Sequence, residues 1–238
     1  MDKLKPIFSE FYREEGLPEE PKQYFIQVAN LIERGAPKGS VDLLDVGCAN
    51  GWFLHYLHNR NPQLHLTGID IFDEFLIDAR RHVPDAYFLN QSMLNRPASD
   101  LKKYDIITAL AVMQILDDTE VINLFDFLFA SVKVGGRIYL FAPFNEYGID
   151  VVLKYRHHMN RDASEWFPGG NAYSFETLEE LLSDRCKNYR IIPFKISIHL
   201  PQTGDPRRGW TIKTEKTDYQ MINGLKLLMD QYIVEIET

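Results

Sequence analysis

Cysteine is scarce: the 238 residues contain only Cys48 and Cys186, too few and too far apart for a disulfide framework or a zinc-type Cys/His cluster. A reducing compartment fits this usage, and no metal is expected. Positive charge is also in short supply, with 26 Lys and Arg against 34 Asp and Glu and a net charge of −8. That balance excludes the broad cationic surface that nucleic acid requires, so no nucleic-acid partner is expected. Long apolar runs are missing too. Residues 1–20 mix charged and apolar side chains without a signal-type hydrophobic stretch, and no run reaches membrane length. The expectation is a soluble, cytoplasmic chain with no membrane contact. There is no internal repeat or low-complexity tract, which removes solenoid and linker architectures.

What is present is enough apolar content, 45% of residues, for one buried core, so residues 1–238 are read as a single domain. Tyr24, Phe25, Val28, Leu31 and Ile32 recur at helical spacing until Gly35, Pro37 and Gly39 break the pattern, which makes residues 1–40 an N-terminal helical cap. Strand and helix patterns then alternate: strands at 41–46, 64–70, 86–90, 104–110 and 137–142, with helices between them. Gly135-Gly136 reads as the stop of the helix before the fifth strand. After residue 142 the alternation lapses for some thirty residues, unusual for a structureless connection, so 144–173 is read as a lid over the substrate or an insertion. A helix at 174–186, a long strand at 189–200, a hairpin from 210–214 and 219–222, and a last strand at 232–237 complete the chain. This order predicts a three-layer α/β/α Rossmann-like sandwich with a mainly parallel seven-stranded sheet and an antiparallel C-terminal strand. Ligands in such sheets bind beyond the carboxyl ends of the strands.

The first strand ends in Asp45-Val46-Gly47-Cys48-Ala49-Asn50-Gly51, where glycine lets the backbone approach a ligand closely. A dinucleotide loop needs G-x-G-x-x-G, whereas Ala49 and Trp52 stand at the third and sixth positions. Asp45 also puts a carboxylate where two phosphates would lie. A cofactor with an ammonium group and no phosphate suits this strand end better.

With these residues the sequence resembles the class I S-adenosylmethionine-dependent methyltransferases, whose first motif is acidic-x-Gly-x-small-x-Gly. The resemblance spans residues 22–142 in five ordered blocks, including Thr67-Gly68-Ile69-Asp70, Tyr104-Asp105-Ile106-Ile107 and Val132-Lys133-Val134-Gly135-Gly136-Arg137. It implies S-adenosylmethionine as cofactor and S-adenosylhomocysteine as product. It assigns the cofactor site to Asp45, Gly47, Cys48, Ala49, Gly51, Asp70, Ile71, Gln91, Ser92, Met93, Ala109, Leu110 and Gln114. Asp70 matches the family's ribose-binding acid, a role suited to a carboxylate that accepts two hydrogen bonds. Gln91, Ser92 and Met93 stand where the family usually places an acid for the adenine amino group. Cys48, Asp105 and the Gly135-Gly136 pair are read as structural.

Methyl transfer from a sulfonium mainly demands alignment and exclusion of water, and some members add a base. Gln114 stands where the family often has histidine, and it cannot act as a base near neutral pH. A base, if used, is expected among Tyr155, His157 and His158. Phe144, Tyr147, Tyr155, Trp166 and Phe167 make the same stretch aromatic, consistent with an apolar lid or a dimer contact. The sequence lacks an Asn-Pro-Pro-Tyr-type motif after Leu110 and a Pro-Cys nucleophile. A small-molecule acceptor, methylated on oxygen or nitrogen by a monomer or homodimer, is the leading expectation. A protein methyltransferase and a non-catalytic, cofactor-binding partner subunit are the alternatives, and a NAD-dependent oxidoreductase comes last.

Overall fold

The computed structural model describes residues 20–93, 102–156, 166–202, 209–215, 219–223, 227–228 and 230–238. In chain order it contains α1 (Gln23–Gly35), β1 (Val41–Val46), α2 (Trp52–Arg60), β2 (Leu64–Asp70), α3 (Asp73–His82), β3 (Tyr87–Asn90), β4 (Tyr104–Leu110), a single 3₁₀ turn (Met113–Ile115), α4 (Asp118–Ser131) and β5 (Val132–Asn145). There follow β6 (Lys154–Tyr155), β7 (Phe167–Pro168), β8 (Tyr173–Ser174), α5 (Phe175–Leu182), β9 (Asn188–Pro193), β10 (Gly209–Ile212), β11 (Gln220–Asn223) and β12 (Gln231–Glu237).

The main sheet has the order β3-β2-β1-β4-β5-β12-β9, and β8 pairs with β5 off this path. The first five strands are mutually parallel, while β12 is antiparallel to both β5 and β9. Alternation along the strands explains the layers, because successive side chains face opposite sides of a sheet. Leu43, Ile106 and Tyr139 pack with Phe25, Leu54 and Leu76 of α1, α2 and α3. Their neighbours Leu44, Ile107 and Leu140 pack with Leu124 and Leu128 of α4 and Leu178 of α5. The central strands are covered on both faces, which accounts for their nearly unbroken apolar runs. No helix among the described residues is long and apolar enough to cross a membrane.

Glu235 ties the antiparallel margin together. Its buried carboxylate accepts from Arg137 Nη1 of β5 at 2.7 Å and from Arg190 of β9, so one side chain on β12 engages both neighbours. The two guanidinium partners outweigh burial and hold its carboxyl below the usual glutamate range. Near the start of β4, Asp105 accepts from Asp42 N at 2.9 Å and Lys133 Nζ at 2.8 Å, which ties β4 to β1 and to the start of β5.

Two elements depart from the pattern-based expectation. The helix before β5 ends at Ser131, and Gly135-Gly136 lies within the strand. Tyr104 pairs with Val132 but Ile106 with Arg137, so the intervening residues bulge outward, and Gly135 takes φ +76° there. The expected long strand at 189–200 stops at Pro193 because its partner β12 begins at Gln231, opposite that point. Among the described residues of the interval 144–173, β6 pairs with β7, β8 extends the sheet, and Val151 bridges Ala172. The hairpin is present as β10 paired with β11.

Candidate functional site

Strand order reverses between β1 and β4, since the chain moves outward from β1 to β2 and β3 before returning on the other side of β1. The crevice at such a switch point is where these sheets bind ligands. A cavity of about 310 Å³ opens there, within the range of small-molecule sites.

Its floor is the turn after β1. Gly47 has φ +70° and donates its N–H to Ile69 O at 2.9 Å. A Cβ added to Gly47 would stand 2.6 Å from Val112 Cγ2, so only glycine fits between the turn and the segment after β4. Ala49 (φ +46°) and Ala111 (φ +61°) are non-glycine residues in left-handed conformations, and both line the cavity. Such strain persists only where surrounding contacts hold it. At Ala49 the holding contact is its N–H to Asp70 Oδ2 at 2.9 Å; at Ala111 it is the N–H to Phe141 O at 2.8 Å. His82 Nδ1 lies 2.8 Å from Asn50 O and therefore carries the hydrogen, since a carbonyl only accepts.

Two carboxylates flank this turn. Asp45 is buried and accepts from Thr108 Oγ1 at 2.6 Å; burial pushes its carboxyl up to about 7. Asp70 is buried and accepts from Ala49 N and, at 3.0 Å, from Phe72 N. Burial raises its pKa, and those backbone donors pull in the opposite direction. A carboxylate offers about four acceptor sites, so Asp70 still has acceptor capacity toward the cavity beyond its backbone donors Ala49, Phe72 and Ile71. Burial drives the Cys48 thiol well above its ordinary value. Its Sγ would lie 2.7 Å from a Cβ at Gly68, so the thiol packs closely against the glycine of β2.

An acid whose folded pKa exceeds its unfolded value binds its proton more tightly in the folded chain. Asp45 therefore opposes folding increasingly as pH rises from 3.8 to about 7, and by a constant amount above that. A shift of roughly three units corresponds to at most about 4 kcal/mol. Asp45→Asn is expected to melt several degrees higher than the natural chain at pH 8, with the gap closing toward pH 4. Thermal unfolding at pH 4, 6 and 8 measures this, and a gap of constant size would show that Asp45 does not ionise in that window.

Of the thirteen residues expected to hold the cofactor, ten line the cavity: Asp45, Gly47, Cys48, Ala49, Asp70, Ile71, Gln91, Met93, Leu110 and Gln114. Gly51 instead caps α2 with φ +77° and faces Ala79, while Ala109 is buried within β4. Ser92 is partly buried between its two cavity-lining neighbours. Tyr155 reaches the cavity from β6; His157 and His158 lie outside the described residues. The motif reading missed Lys22, Asn50, Trp52, Phe72 and Phe75, and also Asn223 and Leu227 from the C-terminal part. Phe72 and Phe75 meet edge to face at 5.3 Å beside Gln91, and their spacing after Asp70 was the available signal.

Gln114 also lines the cavity, and its backbone carbonyl accepts from Asn171 N at 2.9 Å. The Gln114 side-chain Oε1 is buried and has no hydrogen-bond partner among the described residues. A buried acceptor of this kind is costly unless a ligand or water completes it.

The donor set fits an ammonium-bearing, phosphate-free nucleoside. Two acids stand at the strand ends, a glycine turn admits close approach, and Trp52 occupies the first turn of α2, where a pyrophosphate would need access. A family model described as a methyltransferase domain matches residues 44–138, the segment that builds this turn and strands β1 to β5. Malonyl-[acyl-carrier protein] O-methyltransferase 2 of Ilyobacter polytropus is 26% identical over 147 residues, covering 61% of this chain and 54% of that protein. Trans-aconitate 2-methyltransferase of Klebsiella pneumoniae is 32% identical over 118 residues, covering 49% of this chain and 45% of that protein. The chain thus spans about half the length of these relatives. Among solved structures, the N-methyltransferase NodS of Bradyrhizobium japonicum, in complex with S-adenosylhomocysteine, superposes with a TM-score of 0.56 at 15% identity, over 94% of this chain and 93% of that one. Magnesium protoporphyrin IX methyltransferase of Synechocystis, with bound S-adenosylmethionine, gives 0.54 at 14% identity over 90% and 78%. Motif, strand order and site chemistry agree with this match: residues 44–138 are similar to a methyltransferase domain, and the fold is the one shared by Rossmann-like S-adenosylmethionine-dependent methyltransferases.

Proposed function

We propose that this chain transfers the methyl group of S-adenosylmethionine to a carboxylate oxygen of a small-molecule acceptor. The observation that carries the reading is the cavity at the switch point, which Asp45, Asp70 and Gln114 all line. Bound there, S-adenosylmethionine supplies a methyl group on a positively charged sulfur, which leaves as a neutral thioether when a nucleophile takes the methyl. Asp45 in its ionised form would pair with the amino group of the cofactor, Asp70 would accept from the ribose hydroxyls, and Phe72, Phe75 and Met93 would flank the base. Gln114 would orient the acceptor without removing a proton.

The choice of a carboxylate rests on proton chemistry. A hydroxyl or an ammonium must lose a proton to become a good nucleophile, whereas a carboxylate is already ionised at neutral pH. No histidine is among the described lining residues. The relatives named above act on malonyl and aconitate groups, both of which carry carboxyl functions. Incubation with radiolabelled S-adenosylmethionine and a panel of small di- and tricarboxylates tests the reading. Label that is released as methanol by mild alkali marks a methyl ester. Label retained in an alkali-stable product would replace the carboxylate by a hydroxyl, nitrogen or carbon acceptor, and no transfer to any acceptor, including a metabolite extract, would remove the enzymatic reading.

Asp70→Ala should weaken S-adenosylhomocysteine by about tenfold or more, because charge-assisted hydrogen bonds of this kind are worth roughly 1.5–3 kcal/mol. The same substitution removes the acceptor that holds Ala49 N, so the turn itself loosens. Titration calorimetry measures the effect, and unchanged affinity would take Asp70 out of the site.

A further inference from the structure

Among the described lining residues the cavity has three acids, Asp45, Asp70 and Glu120, and one cation, Lys22. Lys22 immediately precedes α1, and its ammonium lies 4.7 Å from the centre of the Trp52 ring and 5.9 Å from that of Phe25. Trp52 is the first residue of α2, directly after the glycine turn, so the cation stands over the same turn that Asp45 approaches from β1. A lysine packed on aromatic rings at the wall of a cavity keeps a desolvated charge that a ligand anion would stabilise strongly. The methyl donor carries one anion, the α-carboxylate beside its α-amino group.

We infer that Lys22 binds the α-carboxylate of the methyl donor, so that Lys22 and Asp45 together grip the two charged groups of its amino-acid end. This inference rests on the reading of the cavity as a donor site. It assigns the N-terminal helical cap a direct part in donor binding, and it makes the cavity selective for a donor or product with an intact amino-acid end over one that lacks the carboxylate.

Burial lowers the Lys22 ammonium from 10.5 to about 8, the expected direction for a cation drawn out of water. A carboxylate favours the charged form. Carboxylate binding through Lys22 should therefore weaken as pH rises above about 8 and the free site loses its proton. The other titratable groups among the described lining residues are Asp45 of β1, Cys48 after it, Asp70 at the end of β2, Glu120 of α4, Tyr24 and Tyr155. A pH effect that belongs to Lys22 is the part that disappears when Lys22 is replaced.

The experiment is calorimetric binding to the full chain of three non-reacting probes: S-adenosylhomocysteine, its decarboxylated analogue that keeps the amine, and 5′-methylthioadenosine, which lacks both groups. Lys22→Met keeps the apolar stem over Trp52 and should weaken S-adenosylhomocysteine about tenfold to a hundredfold while leaving the decarboxylated analogue and methylthioadenosine unchanged. Lys22→Arg should retain most of the affinity, and the difference between the natural chain and Lys22→Met should shrink from pH 7.5 to 9.5. Equal losses for all three probes would mean that Lys22 acts by packing against Trp52, and no loss for any probe would exclude it from the donor; either result overturns the inference while the donor site stands. A natural chain that binds none of the probes overturns the donor site itself, and the inference with it.

Discussion

Gly47→Val is expected to abolish donor binding, lowering S-adenosylhomocysteine affinity by at least about a hundredfold, beyond the loss of any single charged contact. Two effects combine at this position. Gly47 holds φ +70°, which costs an ordinary residue roughly 1–2 kcal/mol and a β-branched one more. Independently, any Cβ there lands 2.6 Å from Val112 Cγ2, so the turn after β1 and the segment after β4 must be pushed apart. The cavity lies between those two segments, so the displacement is felt directly by the ligand. Because the substitution strains the fold as well, Gly47→Ala combined with Val112→Ala separates the causes. That pair removes the crowding, and it should restore most of the melting temperature without restoring affinity, since the left-handed strain and the lost close approach remain. Calorimetry and thermal unfolding on the natural chain and both variants measure both quantities. Normal affinity in soluble Gly47→Val would contradict the proposed turn.

The part of the site read most directly from the sequence is the part built by neighbours along the chain. Asp45, Gly47 and Ala49 occupy one turn, and their spacing alone specifies a tight connection from strand to helix beside a carboxylate. Asp70 follows by the same logic at the end of β2. Lys22, Asn223 and Leu227 gave no such signal: each reaches the cavity through tertiary folding from a segment whose local pattern says only that it precedes a helix or follows a short strand. Burial is likewise a property of the assembled sheet. The rise of the Asp45 carboxyl to about 7 depends on its enclosure at the switch point, which strand periodicity does not reveal. Glycine punctuation was ambiguous for a different reason. Gly135-Gly136 was consistent with a helix stop, but a glycine pair serves equally well as an outward bulge in a strand, and the helix had already ended at Ser131.

Asn171→Ala should lower methyl transfer about a hundredfold while changing S-adenosylhomocysteine affinity by less than about twofold, because the residue stands behind the wall that carries Gln114 and holds it in place. Asn171 is fully buried. Its Nδ2 donates to Leu116 O at 2.7 Å, its Oδ1 accepts from Leu153 N at 2.9 Å, and its own N–H donates to Gln114 O at 2.9 Å. One side chain thus joins the turn that carries Gln114 to the segment that leads into β6, from which Tyr155, with Gly169 and Gly170 beyond β7, lines the cavity. The base of this excursion is tied elsewhere as well: Val151 and Ala172 exchange backbone hydrogen bonds, and Asp150 accepts from Ser174 N and Thr177 Oγ1. Ordering on addition of cofactor and acceptor is therefore expected at residues 153–156 and 166–170, above the tied base, and not uniformly across 144–173. Truncation to alanine leaves Leu153 N unpartnered by that side chain, at a stability cost of roughly 1–3 kcal/mol, which leaves a folded chain for assay. Hydrogen exchange should show the Leu153 amide losing protection, and turnover with the acceptor identified in the alkali-release assay should fall by about a hundredfold. Full turnover in a variant whose Leu153 amide exchanges freely would show that this excursion neither aligns the acceptor nor excludes water. Strong and equal protection at 153–156 and 166–170 with and without ligands would make the segment fixed structure rather than a closing lid.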